Sequence, residues 1–217
     1  MNSTFLILIP KKRGAKEFKD FRPISLVGSL YKLLAKVLAN RLKLAVREVV
    51  SEYQHAFIQN RSILDAALNA NEAVDSRLKD KIPGLLLKLD IEKAFDNVNW
   101  DCLLSIMSKM GFGQKWINWI RWCISIANFL ILINGTPSDF FRSTRSLRQG
   151  NPLSPYLFLL VMEILSQLLF RAKSGGYIKG FKVGNSNGVG RDLLHLLFVD
   201  DTLLFCKANS VQLRYLS

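Results

Sequence analysis

Near one end the chain reads Phe198-Val199-Asp200-Asp201-Thr202-Leu203-Leu204-Phe205, two apolar runs joined by two adjacent acids. Apolar runs on either side of a tight connection predict a β-hairpin, Leu193 to Val199 and Thr202 to Cys206, with Asp200-Asp201 at its tip. A turn selected for structure alone favours Asn-Gly or Asp-Gly. Two like charges side by side repel, and a structural turn has no reason to keep both. A second run, Leu85-Leu86-Leu87-Lys88-Leu89-Asp90-Ile91, reads as a buried strand that leads straight into Asp90. Carboxylates at the ends of adjacent core strands converge on one spot, which is costly unless a cation neutralises them. Oxygen donors without Cys or His select a hard ion, Mg²⁺ or Mn²⁺. Two such ions form the phosphoryl-transfer arrangement of polymerases and nucleases. Singly, an Asp-Asp turn or an Asp at a strand end is ordinary turn or cap chemistry. The conjunction points further.

Charge agrees with a phosphate-handling chain. Lys and Arg number 30 against 17 acids, a net charge of +13, and a polyanion is the expected partner. The excess is concentrated, since residues 1–50 hold eleven basic residues and three acids. Hydrophobic residues make up 49%, enough for a sizeable core. Cys102, Cys123 and Cys206 are scattered and only two histidines are present, which argues against a zinc site or disulfide framework and for reduced thiols in an intracellular compartment. The apolar start, Met1 to Ile9, has no basic n-region and does not read as a signal peptide. Tyr156 to Phe170 contains Glu163, Ser166 and Gln167, so it reads as a buried helix and no membrane partner is expected.

Along the chain, Phe5 to Ile9 and Phe21 to Leu26 read as short extended pieces around a basic loop. From Ser29 the pattern is helical, with Leu30, Leu33, Leu34, Val37, Leu38 and Leu42 on one face and Lys32, Lys36, Asn40, Lys43 and Arg47 on another. Ser62 opens a second helix with a capping box to Asp65, and Pro83-Gly84 ends it. Helices follow at about 101–110, stopped by Gly111, and about 114–126. Phe129 to Ile133, Asn134-Gly135 and Phe140 to Arg142 read as a hairpin. Next come a polar loop, 143–154, a helix, 155–172, a strand near 177–183 and turn-rich 184–190. The mixture lacks regular alternation, which predicts an α+β fold with an antiparallel sheet.

Several of these strings, in this order, resemble the reverse transcriptases of LINE-type (non-LTR) retrotransposons, especially plant ones. Leu8-Ile9-Pro10-Lys11-Lys12 and Phe21-Arg22-Pro23-Ile24-Ser25-Leu26 resemble fingers motifs. Gln54-His55-Ala56-Phe57 with Asn60-Arg61-Ser62-Ile63 resembles the next block. Leu87 to Asp96 resembles the first catalytic motif, Leu147 to Pro155 the template and nucleotide motif, and Phe198-Val199-Asp200-Asp201 the second catalytic motif. The resemblance implies a right-hand polymerase with helical fingers (about 1–84) and a palm (about 85–217), ending before the thumb. It implies an RNA-directed DNA polymerase acting on an RNA template, a DNA primer and dNTPs with two Mg²⁺ ions, Mn²⁺ being able to substitute. Asp90, Asp200 and Asp201 are then catalytic metal ligands, joined by the backbone of Ile91. Lys11, Lys12 and Arg22 meet the triphosphate, Phe95 is the steric gate against a ribose 2′-hydroxyl, and Gln149 and Gly150 border the nascent base pair. Arg142, Arg145 and Arg148 face nucleic-acid backbone.

The chain departs from the family pattern at two positions. Asn151 stands where the family usually has Asp, and Val199 stands where it usually has a small Ala. The alternative reading is a catalytically inactive retrotransposon remnant that retains RNA binding through its basic fingers. An intron maturase or telomerase-like lineage is a third. Lys11-Lys12-Arg13 is too short to serve as a nuclear signal, and the nucleus is expected from the resemblance alone.

Overall fold

The structure is a computed structural model and describes residues 3–25, 28–133, 136–183, 191–209, 212, 214 and 215. Leu26, Asn134-Gly135 and the turn-rich 184–190 lie outside them. The chain forms two compact units that interleave in sequence, one from 1–45 and 93–160 and the other from 46–92 and 161–217.

In the first unit, β1 (Ser3–Pro10) pairs antiparallel with β2 (Phe21–Ser25), in register from Leu6↔Ser25 to Pro10↔Phe21. β1 also runs parallel to β4 (Asn128–Leu130), and β4 pairs antiparallel with β7 (Phe141–Arg142), giving the order β2-β1-β4-β7. The hairpin expected over 129–142 is therefore split. Asn128↔Arg142 and Phe129↔Phe141 close its base, while β5 (Leu132–Ile133) and β6 (Thr136–Pro137) pair separately.

Helix α1 (Ser29–Val49) begins as expected but buries a different face. Leu38 and Leu42 are buried as expected, together with Tyr31, Ala35 and Ala39, whereas Leu30 is 86% and Leu33 63% exposed. The helix is apolar on more than one side, so leucine spacing does not choose between faces. The small alanines permit the closer approach, and their side is the one that packs. α3 (Trp100–Lys109) is capped by Asn99, whose Oδ1 accepts from the Cys102 amide at 3.0 Å. Gly111, at φ +87°, ends it. α3 buries Leu103, Leu104 and Met107, α4 (Gln114–Ser125) buries Ile117, Ile120, Cys123 and Ile124, and the two helices pack together.

The second unit contains α2 (Ile63–Lys79), whose capping box between Ser62 and Asp65 forms as expected. β3 (Gly84–Asp90), β10 (His195–Phe198) and β11 (Asp201–Lys207) make an antiparallel sheet in the order β10-β11-β3. Ala73, Phe181, Leu193, Leu196 and Phe205 form one core cluster around it, and Ile178, Leu194, Leu204 and Cys206 a second. β8 (Phe181–Val183) and β9 (Arg191–Leu193) add a short antiparallel pair. Gly84 is required by close approach, since a Cβ there would fall 2.5 Å from the Phe181 ring.

β3 is not the buried strand its composition predicts. Leu85 and Leu87 pack into the core, but Leu86 is 47% and Leu89 44% exposed, because β3 is the edge of its sheet. α5 (Ser154–Ser174) is long and apolar enough by length and composition to cross a membrane. It nevertheless carries Glu163, 2% exposed, whose carboxylate accepts from the Ser51 amide at 2.9 Å and from Gln167 at 2.6 Å. A satisfied buried carboxylate belongs to a helix in a protein core.

Candidate active site

The second unit brings the expected carboxylates of β3 and β11 together through strand register. Asp201 lies directly across from Asp90 in the β11–β3 pairing. Cross-strand partners share a face, and Lys88, two residues before Asp90, lies on that face too. The Lys88 ammonium is 3.0 Å from Asp201 Oδ1. That hydrogen bond raises the Lys88 pKa above its ordinary value. The pair is largely solvent-facing and adds little to stability.

The hairpin tip is one residue earlier than its composition predicts. Phe198 pairs with Asp201, so Val199 and Asp200 form the two-residue turn and Asp201 is the first residue of β11. Sequence cannot separate the two registers, because both leave an acid in the turn. Val199 has φ +58°, a left-handed conformation that is strained for a β-branched residue.

The turn has a support that sequence reading left without a role. Residues 53–55 run alongside β10, with the Leu197 amide donating to the Tyr53 carbonyl (2.8 Å) and the His55 amide to the Leu197 carbonyl (3.0 Å). Gln54 is fully buried, and its Oε1 accepts from the Val199 amide at 3.3 Å and from the Ala56 amide at 3.0 Å. Arg61 fixes the segment from below, donating Nη1 to the carbonyls of Ser51 (2.6 Å) and Gln54 (2.7 Å). A polar residue in a polar loop signals none of this.

The donor set suits a hard divalent ion. Asp90 and Asp201 stand opposite each other on one face, Asp200 precedes Asp201 in the turn, and the Lys88 ammonium already pairs with one Asp201 oxygen as a cation would. Among the described residues no group of three acid, His or Cys side chains closes into a metal cage. Mg²⁺ ordinarily takes only one or two carboxylates and fills its shell with water and substrate phosphates, so a two-carboxylate platform fits it.

The first unit holds the other expected residues. Phe95 is half-buried and stacks on Phe158 with ring centroids 4.5 Å apart and planes 15° from parallel. Its carbonyl accepts from the Leu147 amide at 2.8 Å, which ties the motif around Phe95 to the one beginning at Leu147. Gly150 has φ +87°, a conformation glycine adopts without strain. Gln149 beside it is half-buried. In the basic loop, Lys11 Nζ donates to the Lys19 carbonyl at 2.9 Å and Lys12 Nζ pairs with Asp20 at 2.8 Å. Lys12 holds the Asp20 carboxyl below its ordinary pKa. Arg22 is exposed on β2 opposite Ile9. Arg142 and Arg145 are exposed, Arg142 Nε donating to Asn128 Oδ1 at 2.8 Å.

Arg148 differs from the expectation of a surface cation. Its guanidinium lies 4.5 Å from the Tyr31 ring centroid and donates to the Tyr31 hydroxyl and, at 2.7 Å, to the Cys123 carbonyl. Burial lowers its pKa and pushes that of the Tyr31 hydroxyl up to about 12. Asn151 joins the same knot: its amide donates to the Tyr31 hydroxyl at 3.0 Å and its Oδ1 accepts from the Leu153 amide at 3.1 Å. The aromatic partner comes from more than a hundred residues away, so local sequence had no means of announcing it.

The profile of the reverse transcriptase (RNA-dependent DNA polymerase) family matches residues 9–217. The chain belongs to the reverse transcriptase family. Its relatives include a transposon TX1 149 kDa protein from Xenopus laevis, 30% identical over 80% of this chain and 13% of that protein. They also include the Pol polyprotein of the type-1 retrotransposable element R2 from Nasonia vitripennis, 29% identical over 94% of this chain and 18% of the polyprotein. These are proteins of non-LTR elements, and the chain spans less than a fifth of the length of either. An uncharacterized mitochondrial protein of Arabidopsis thaliana is 48% identical over 34% of this chain and 57% of its own length, a modest link to plants. Telomerase structures from Candida tropicalis (TM-score 0.63, 19% identity, 99% of this chain and 45% of that one) and Candida albicans (TM-score 0.65, 15% identity, 100% and 39%) share the fold. The α+β, right-hand polymerase architecture expected for a reverse transcriptase is thus the one observed.

Proposed function

We propose that this reverse transcriptase chain is the fingers and palm portion (about 1–84 and 85–217) of an RNA-directed DNA polymerase of a non-LTR element, which extends a DNA primer along an RNA template with dNTPs. The observation that carries the reading is the Asp90–Asp201 register pair with Asp200 in the adjoining turn. Asp90, Asp200 and Asp201, with the Ile91 backbone, would hold two Mg²⁺ ions, or Mn²⁺ in their place. When bound, such ions lower the pKa of an attacking hydroxyl and offset charge on a transferring phosphoryl group.

The remaining residues bind and select. Lys11, Lys12 and Arg22 neutralise the triphosphate, Lys12 exchanging its Asp20 partner for phosphate oxygens; Arg22 suits the task through its bidentate fork. Phe95, held flat against Phe158, presents a fixed edge to the sugar, and a ring that cannot swing away discriminates against a 2′-hydroxyl by collision. Gln149 and Gly150 border the nascent pair. Arg142 and Arg145 meet nucleic-acid backbone, while Arg148 positions the loop through Tyr31. The working compartment is the nucleus.

The test is primer extension on poly(rA)–oligo(dT) with dNTPs and Mg²⁺, wild type against Asp200→Asn/Asp201→Asn. Extension that disappears in the double variant establishes the polymerase. Absence of extension from both, with salt-sensitive RNA binding by both, leaves an RNA-binding remnant.

A further inference from the structure

We propose that Gln54 is a positioning residue for the active site, holding the Val199–Asp200 turn in its left-handed conformation and thereby setting the place of Asp200. The inference rests on the reading of Asp200 as a metal ligand.

Three observations converge. First, the Val199 backbone is in a region that a β-branched side chain resists, and such a conformation persists only where the surroundings over-determine it. Second, among the described residues one side chain reaches the Val199 amide, and it is fully buried: Gln54 Oε1, at 3.3 Å. The orientation of the amide follows from its partners. Val199 and Ala56 both offer N–H donors, so the atom between them is the acceptor oxygen, and Nε2 is buried with no partner among the described residues. A buried, unpartnered amide hydrogen pair is an expense that a merely space-filling side chain would not incur. Third, the platform carrying Gln54 is rigid. It is laced to β10 through Leu197 on one side and clamped by Arg61 on the other. In the parallel alignment Gln54 lies level with Leu197, and its side chain extends two residues onward to the turn. An alanine at this turn would resist a positive φ less than the β-branched Val199 does, so valine raises the demand on Gln54.

The test measures Mn²⁺ affinity of the full chain by electron paramagnetic resonance titration, alongside thermal unfolding, for wild type and the variants Gln54→Leu, Gln54→Leu/Val199→Gly and Asp200→Asn. Gln54→Leu, folded at the titration temperature, is expected to bind Mn²⁺ about 10- to 100-fold more weakly, as for loss of other supports behind a metal ligand. Glycine at 199 adopts the positive φ without help, so the double variant is expected to regain most of that loss. A purely structural Gln54 would not be rescued through residue 199. Wild-type affinity in folded Gln54→Leu, or no recovery in the double variant, overturns the proposal. Should Gln54→Leu fail to fold, amide hydrogen exchange on the unaltered protein decides: a protected Val199 amide supports the bond, and exchange at the rate of an open amide overturns it. Asp200→Asn separates the two readings. Undiminished Mn²⁺ binding there removes the ligand role and this proposal with it, whereas impaired binding there beside unimpaired Gln54→Leu removes this proposal alone.

Discussion

Replacing Asn151 by an aspartate restores the residue usual in the family and tests the Tyr31–Arg148 knot. Among the described residues no carboxylate pairs with Arg148, although its guanidinium is largely buried and its Nε and Nη1 lack partners. A carboxylate at 151 would sit where the amide now meets the Tyr31 hydroxyl at 3.0 Å. The lost amide donor has a replacement. The Tyr31 hydroxyl now donates to the Cys123 carbonyl at 2.9 Å, but Arg148 serves that carbonyl as well, so the phenol proton is free to turn to the new acceptor. At a separation of about 5 Å and an effective dielectric of about 20, the attraction between the new carboxylate and Arg148 is worth about 3 kcal/mol. Position 151 is half-buried, so desolvating its carboxylate costs less than the several kcal/mol of full burial, about 1–2 kcal/mol, leaving a net gain of about 1–2 kcal/mol. For a chain of this length each kcal/mol raises Tm by about 2–4 °C. The sign with pH follows from the carboxyl's partner. Arg148 depresses the folded-state pKa below the ordinary value of about 3.9, so the gain is fully present above that value and is lost as pH falls through the folded one. Melting curves of both proteins at about pH 7 and about pH 3, on either side of that ordinary value, test this. An Asn151→Asp protein that melts at or below wild type near neutrality, or whose advantage survives unchanged in acid, would refute the reasoning.

Other outcomes follow from the same structure. His195 is buried against Tyr53 and bonded through Nε2 to Ser166 Oγ, and burial holds its pKa at about 4. Its neutral form gives stability that is complete above the ordinary value of about 6.5 and declines by about 3 kcal/mol as pH falls through the folded pKa, so urea unfolding of His195→Gln is expected to lose that acid sensitivity. Phe95→Ala empties the space facing Phe158 and is expected to cost about 2–3 kcal/mol in denaturant unfolding and to raise ribonucleotide incorporation in primer extension; unchanged selectivity would remove the gate assignment. Among the described residues Gly150→Ala meets only Ile24 Cγ2, at 3.8 Å, so its cost is the strain of a positive φ, about 1–2 kcal/mol, read in the same unfolding assay.

Much of the fold was legible from residue order because it depends on local signals. The capping box at Ser62 and Asp65, the stop at Gly111 and the extended pieces around the basic loop are each decided by a few neighbouring residues, and each formed where the pattern placed it. The acids at the ends of apolar runs marked the strand ends that pairing sets opposite each other, and the order of the motifs announced the family. Register and choice of face were not legible. A one-residue shift at the hairpin tip keeps the same composition while moving Asp201 from turn to strand, and only pairing with β3 selects it.

By itself, then, the sequence determined the kind of protein this is: a basic α+β chain of the reverse transcriptase family, with three carboxylates and the elements that carry them. The tertiary structure alone decided which side of α1 packs, that β3 is an edge and half exposed, that Arg148 turns inward onto Tyr31, and that Gln54 reaches the Val199 amide. The physical reason is range. Caps, breakers and alternation act within a helical turn or a strand, whereas these choices are made by groups brought together from distant parts of the chain, where packing and the pairing of buried polar atoms outweigh local preference.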